Sequence, residues 1–213
     1  MDTILYLIFV FVIIVFSMVL HELAHGYVAY WLGDDTAKND GRLSLNPLRH
    51  IDPVMTIFIP LLLALTGMPV FGGAKPVPVN SHKVRGAEWG FALVAFAGPL
   101  TNFILAFIFF LIGYFSGAFM SDGSILDTFC VAGVSVNLGF CVFNLLPIPP
   151  LDGSRILYAL APDFVRNFMR AMEGVGVIVI YCLLLLCGGL FSNYMSMAMN
   201  GIWRFFCFLV GAA

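Results

Sequence analysis

His21, Glu22 and His25 stand in the pattern H-E-x-x-H within an otherwise apolar stretch. In a helix, positions four apart share a face, so the two imidazoles can meet one metal ion while Glu22 sits beside them to take a proton from water. These residue types at this spacing point to metal-assisted hydrolysis, with zinc as the ion. Ionisable side chains are costly at membrane depth, so three within five positions mark function. Two other readings of the same residues are a hydrogen-bonded structural pair between helices and a proton relay in a transporter or channel.

A catalytic zinc keeps three protein ligands and one open position, so a third ligand has to come from elsewhere in the chain. His50 and His82 lie in basic connectors, where an interfacial, solvent-facing role is expected. Asp152 is the better candidate. It stands in Asn144-Leu-Leu-Pro-Ile-Pro-Pro-Leu-Asp152-Gly-Ser-Arg155, where Pro147, Pro149 and Pro150 prevent a regular helix and let an extended segment turn back towards the first motif.

The elements that must position these residues are membrane helices. Of 213 residues, 61% are hydrophobic and only 10% charged, against roughly 25% charged in soluble domains, which excludes a water-soluble fold. The bilayer is the solvent. A net charge of -2 carries no polyanion signal, so nucleic acid is not an expected partner. The five cysteines, Cys130, Cys141, Cys182, Cys187 and Cys207, all fall in apolar stretches and read as packing residues.

The apolar stretches are residues 3–32, 54–70, 89–116, 128–146, 174–191 and 195–210. The first has no basic start and carries His and Glu, so it reads as a retained spanning helix rather than a cleaved leader. The second, broken by Pro60 and closed by Gly67 and Pro69, reads as re-entrant or interfacial. Nine of the ten basic residues sort the loops: Lys38, Arg42 and Arg49; Lys75, Lys83 and Arg85; and Arg155, Arg166 and Arg170. By the positive-inside rule all three connectors face the cytoplasm, which requires residues 54–70 not to cross. The same condition follows from the candidate ligands, because Asp152 reaches the histidines only if an even number of crossings separates Leu32 from Asp152. The expected architecture is an all-α polytopic membrane protein of about five transmembrane helices, with a re-entrant or interfacial segment and a short β-like Pro-rich connector. Residues 1–160 form the core and 161–213 the C-terminal helices of the same domain. At about 1.5 Å per residue the metal would sit roughly 10 to 16 Å below the cytoplasmic end of the first helix.

The chain resembles the site-2 proteases, intramembrane zinc metalloproteases, and particularly the short bacterial and archaeal forms. The resemblance runs over residues 1 to about 160: His21-Glu-Leu-Ala-His25-Gly, Arg42-Leu-Ser-Leu-Asn-Pro-Leu-Arg-His-Ile-Asp-Pro53, Ala74-Lys-Pro-Val-Pro-Val-Asn80, Ala97-Gly-Pro-Leu-Thr-Asn102, and Asn144 through Gly153. It implies one zinc ion bound by His21, His25 and Asp152, with Glu22 as catalytic base. It also implies that Asn144 helps hold substrate or the developing oxyanion. The implied activity is cleavage of a transmembrane protein substrate after local unwinding, as in regulated intramembrane proteolysis, in a prokaryotic cell membrane. Met55 and Ser154 stand where these relatives often have glycine, and no PDZ or CBS stretch is visible.

Two further expectations come from the residues themselves. In an extended Phe71 to Asn80, Pro76 and Pro78 remove donors from one edge, leaving Val77 and Val79 to donate from the other to an unwound substrate. Gly98, Pro99 and Asn102 read as a close helix approach with an interhelical hydrogen bond. Against the protease reading stand a transporter or channel, which predicts inverted repeats not found here, and an inactive membrane scaffold, which the complete set of His21, Glu22, His25 and Asp152 argues against.

Overall fold

The computed structural model describes residues 3–66, 72–120 and 124–212. Residues 67–71, which end the second apolar stretch and begin the Pro-rich connector, lie outside these, as do residues 121–123. Helix α1, Thr3–Trp31, is long and apolar enough to cross a bilayer. It stops where Gly33 N–H returns to Tyr30 O and Asp34 N–H to Ala29 O, a closure that satisfies the last carbonyls. A single turn, α2 (Thr36–Asn39), follows in the first connector.

The second apolar stretch begins as a wide helical stretch, Pro53–Phe58, and continues as α3, Ile59–Leu65. These 6 and 7 residues reach at most about 20 Å, short of the roughly 30 Å hydrocarbon core. Both ends of the excursion are tied together. Thr56 Oγ1 donates to Gly73 O at 2.6 Å, Gly73 N–H to Met55 O at 3.1 Å, and Lys75 N–H to His50 O at 2.9 Å. The chain therefore comes back to where it left, as the charge pattern requires.

Helix α4, Ala87–Phe115, is the centre of the bundle, packed against α1, α5 (Ile125–Asn144) and α6 (Asp152–Leu160). Phe110 of α4 and Val134 and Leu138 of α5 form a buried cluster with Phe206 of the last helix. Among the described residues, two helices long enough to span a membrane, α4 and α5, lie between α1 and Asp152, in keeping with an even count.

After α6 comes the surface helix α7, Asp163–Glu173. Its arginines make contacts within the protein. Arg166 donates to the Tyr158 and Ala159 carbonyls that end α6 and pairs with Glu88 at the start of α4. Arg155 pairs with Glu173, and Arg170 lies over the Tyr158 ring.

The two C-terminal stretches, expected as separate crossings, form a kinked helical run, α8, Gly176–Leu209, whose two segments meet at Cys187 rather than at residues 192–194. Ser192, Asn193 and Tyr194 lower the hydropathy but are not helix breakers, so the helix runs through them. It is interrupted instead at Cys187 (φ -120°, ψ 21°), ahead of the Gly188-Gly189 pair, where helix propensity is lowest. Among the described residues four helices are long and apolar enough to span a membrane, and none forms a strand. The Pro-rich connector, expected to be β-like, has no regular secondary structure over residues 72–80.

Candidate active site

Three elements converge. Helix α1 brings His21 and His25 on one face, and α6 begins with Asp152. The last turn of α5 runs into a tight chain of turns, with Leu146 N–H bonded to Phe143 O, Ile148 N–H to Leu146 O and Leu151 N–H to Ile148 O. This reversal, which contains a cis Pro149-Pro150 bond, hands the chain to α6 with Asp152 at its first position. Gly153 makes the fit possible, since a Cβ there would overlap the Leu145 and Leu146 carbonyls.

His21 Nε2 and His25 Nε2 lie 3.0 Å apart, and Asp152 Oδ2 is 3.2 Å from the first and 3.4 Å from the second. Each histidine is only 8% exposed. His25 Nδ1 faces the carbonyl oxygen of Val94 at 2.7 Å. A carbonyl only accepts, so Nδ1 carries a proton and, in the neutral ring, Nε2 presents a lone pair. Asp152 Oδ2 is buried without a hydrogen-bond donor. Acceptors that crowd together undonated and buried call for a cation. Their separations match the edge, about 3.3 Å, of a tetrahedron with metal bonds of about 2.0 Å. His21, His25 and Asp152 thus form a cluster that can hold a metal ion, and two imidazoles with one carboxylate suit zinc.

A second layer comes from α4, antiparallel to α1. Val94, Gly98 and Asn102 recur every four residues along one stripe. Val94 O meets His25, Asn102 Oδ1 meets His21 Nδ1 at 2.6 Å, and Gly98 lies beneath both rings. A Cβ at Gly98 would come within 2.6 Å of the Cε1 atoms of both histidines. Pro99 lies inside the helix and has no N–H to give the Ala95 carbonyl. The sequence led us to assign Gly98 and Asn102 to helix packing. The available signal was a buried-type amide one turn from a glycine in an apolar helix, but nothing in the chain's order says which partner it meets.

Glu22 lines the same cavity, of about 310 Å³, together with His21, His25, Val77, Asn144 and Asp152. Its Oε2 accepts the Val77 N–H at 2.9 Å. This corrects the expectation that Val77 offers a free donor to substrate: the donor is spent on Glu22, and the Val77 side chain is buried. The connector is held over Glu22 by Arg42, whose Nη2 donates to Lys75 O at 2.8 Å and Pro76 O at 3.2 Å. At its far end the Asn80 N–H donates to the buried Asp34 at 2.6 Å. Burial pushes the Asp34 carboxyl up, but donation from the Thr36 hydroxyl, the Asn80 and Thr36 N–H groups and nearby Lys83 hold it below the ordinary carboxylate value.

Asn144 reaches the cavity wall, where its amide donates to Phe140 O at 3.0 Å. His82 is exposed, but His50, expected to face solvent, is fully buried and donates from Nε2 to Ser44 O at 2.8 Å. It braces the connector rather than joining the cluster. The basic connectors meet at one end of the bundle, tied by Lys83 to Asp35 and by Arg166 to Glu88.

Residues 8–187 match the family model described as peptidase family M50. The chain is 46% identical over 173 residues to YwhC of Bacillus subtilis, covering 78% of this chain and 75% of YwhC. It is 32% identical over 171 residues to Rip2 of Mycolicibacterium smegmatis, covering 79% of this chain but only 63% of Rip2. Both carry names that propose a zinc metalloprotease. The archaeal protein named zinc metalloprotease MJ0392, from Methanocaldococcus jannaschii, is 27% identical over 150 residues, 70% of this chain and 33% of its own. No solved structure matches the chain.

Proposed function

The chain belongs to peptidase family M50 and is a zinc metalloprotease of that family, and from this premise we propose that it is an endopeptidase hydrolysing peptide bonds within or near transmembrane helices of membrane-protein substrates. The observation that carries the proposal is the placement of the His21, His25 and Asp152 acceptors, with Glu22 beside them, in a cavity inside an apolar helix bundle. A peptide bond reaching that cavity comes from a segment able to enter the bilayer.

His21 Nε2, His25 Nε2 and Asp152 Oδ2 would hold the ion. When bound, zinc supplies a Lewis acid that polarises the scissile carbonyl and draws the pKa of a water towards neutrality. Glu22 accepts the proton of the attacking water and passes it to the leaving nitrogen. The Val77 N–H on Oε2 fixes the carboxylate's direction and leaves Oε1 for that transfer. Asn144 stands on the cavity wall, where a side-chain amide can hold the substrate backbone or the developing oxyanion. A helical substrate has all its backbone groups paired and must unwind before it can present a carbonyl here.

The convergence of the basic connectors at one end of the bundle supports a site near the cytoplasmic face. The test is cleavage of a model membrane substrate by the wild type and by Glu22→Gln, with zinc content measured on both. Zinc retained with cleavage abolished supports the reading; undiminished cleavage by the variant overturns it.

A further inference from the structure

Behind His21 runs a chain of buried amides that ends on a backbone carbonyl. Asn102 Oδ1 lies 2.6 Å from His21 Nδ1, Asn102 Nδ2 lies 3.0 Å from Asn137 Oδ1, and Asn137 Nδ2 lies 2.9 Å from Gly133 O. Asn102 and Asn137 are fully buried, 35 residues apart on α4 and α5.

Each link dictates the next. Gly133 O only accepts, so Asn137 must turn its NH₂ towards it and its Oδ1 towards Asn102. Asn102 then has to present its own NH₂ to Asn137, which leaves its Oδ1 facing His21. An amide oxygen only accepts, so His21 must carry its proton on Nδ1, and Nε2 is left as a lone pair facing His25 and Asp152. Turning either amide over would set donor against donor or acceptor against acceptor in a dry interior, where unpaired polar groups cost most. By itself Asn102 would not settle the matter, because a free amide can present NH₂ to His21 as easily as oxygen and so favour the tautomer that cannot bind metal through Nε2.

We infer that Asn137 is a positioning residue for the metal centre: acting through Asn102, it sets the His21 tautomer whose Nε2 lone pair faces Asp152. The inference rests on the zinc-site reading for its purpose but not for its chemistry, since the tautomer is a property of the zinc-free protein as well. His25 needs no such relay, because its Nδ1 meets a backbone carbonyl directly.

The test uses full-length protein in lipid bilayers with ¹⁵N-labelled histidine, the His21 signals being identified by their absence in His21→Gln. Four proteins are compared: wild type, Asn137→Leu, Asn102→Asp, and the double variant. A carboxylate at position 102 accepts at both oxygens, so it holds the His21 proton on Nδ1 without instruction from Asn137. In the zinc-free state, wild-type His21 is expected to show one tautomer, protonated at Nδ1. Asn137→Leu is expected to show a mixture, with zinc affinity, measured by chelator competition, lower by about 10- to 100-fold, as for outer-shell partners of metal-bound histidines. In the Asn102→Asp background the same Asn137→Leu change should alter neither quantity by more than about 3-fold, which also shows that the variant folds.

An unchanged tautomer and affinity in Asn137→Leu, or an equal loss in both backgrounds, overturns the inference. Failure of the wild type to bind zinc would instead overturn the metal-site reading, while the tautomer measurement still decides the role of Asn137.

Discussion

The Val77 backbone N–H lies 2.9 Å from Glu22 Oε2, joining the proposed catalytic base to a connector 55 residues away. On the other face of the same peptide unit, Pro76 C=O accepts from Arg42. A guanidinium and a carboxylate are thereby linked through one peptide group whose dipole is aligned with both. Pro76 and Pro78 flank Val77, so Val77 is the one residue of the Pro76–Pro78 tripeptide able to donate. The connector is therefore part of the proposed active site, and it orients the proposed base.

Val77→Pro removes this donor and nothing else polar. Hydrogen bonds to charged groups contribute about 1.5 to 3 kcal/mol, so kcat is expected to fall roughly 10- to 100-fold with zinc content unchanged. Val79→Pro leaves the Glu22 contact in place and should cost far less. Equal losses for both variants in the cleavage assay would instead favour an open substrate-binding edge.

Arg42 is 9% exposed and supplies donors to two carbonyls at once. In Arg42→Leu both carbonyls lose their partner, and the connector loses its anchor above Glu22. The expectation is a drop of at least about 10-fold in cleavage and a lower Tm, at about 1 to 3 kcal/mol for each buried group left unsatisfied. Arg42→Lys keeps the charge without the planar fork and should recover only part of either quantity.

Gly98→Ala places a methyl group against the rings of His21 and His25. Overpacking of this kind costs about 1 to 3 kcal/mol, and here the side chains that must move are the two ligands. Zinc stoichiometry is expected to fall while the helical circular dichroism signal holds. Retained zinc with full cleavage would show that the rings have room to spare.

Chelation should abolish cleavage and lower Tm, because an ion that binds only the folded chain stabilises it by about 2.7 kcal/mol at 100 times its Kd. Restoring zinc should recover both in the wild type. In Asp152→Ala, which loses the carboxylate of the cluster, added zinc should leave Tm nearly unmoved, a difference thermal scans with and without zinc will read directly.

Asp34 ties the end of α1 to the end of the connector through Asn80. Its folded-state pKa lies below the ordinary 3.8, so its stabilising effect is present above that value and is lost as pH falls through the lower folded value. In metal-free protein, where acid cannot act by stripping zinc, Asp34→Asn should be less stable than wild type at pH 7. The two should converge as pH falls below that folded-state value. Parallel Tm-versus-pH curves would show that the Asp34 charge contributes nothing.

Local order was enough to expose the chemistry. The spacing of His21 and His25 follows from helical periodicity alone, and the scarcity of charge made nine basic residues readable as topology. The same reasoning expected residues 54–70 to return, and among the described residues Thr56 is hydrogen-bonded to Gly73. It misplaced the break in α8, because hydropathy falls at Ser192 to Tyr194 for reasons of polarity while the backbone gives way at Cys187, beside two glycines. It also placed Asn102 among packing residues and Val77 among free donors.

What the sequence alone determined is therefore the candidate residues of the site and the apolar elements that carry them, since both depend on residue type and on periodicity within one element. The tertiary structure decided everything that one element does to another: that Asn102 reaches His21 and Asn137 reaches Asn102, that Gly98 clears the His21 ring, and that Arg42 and Val77 hold Glu22. The physical reason is that an amide, a glycine or a backbone N–H has no function of its own. Each acquires one only from the group that packing brings to within hydrogen-bond or van der Waals distance.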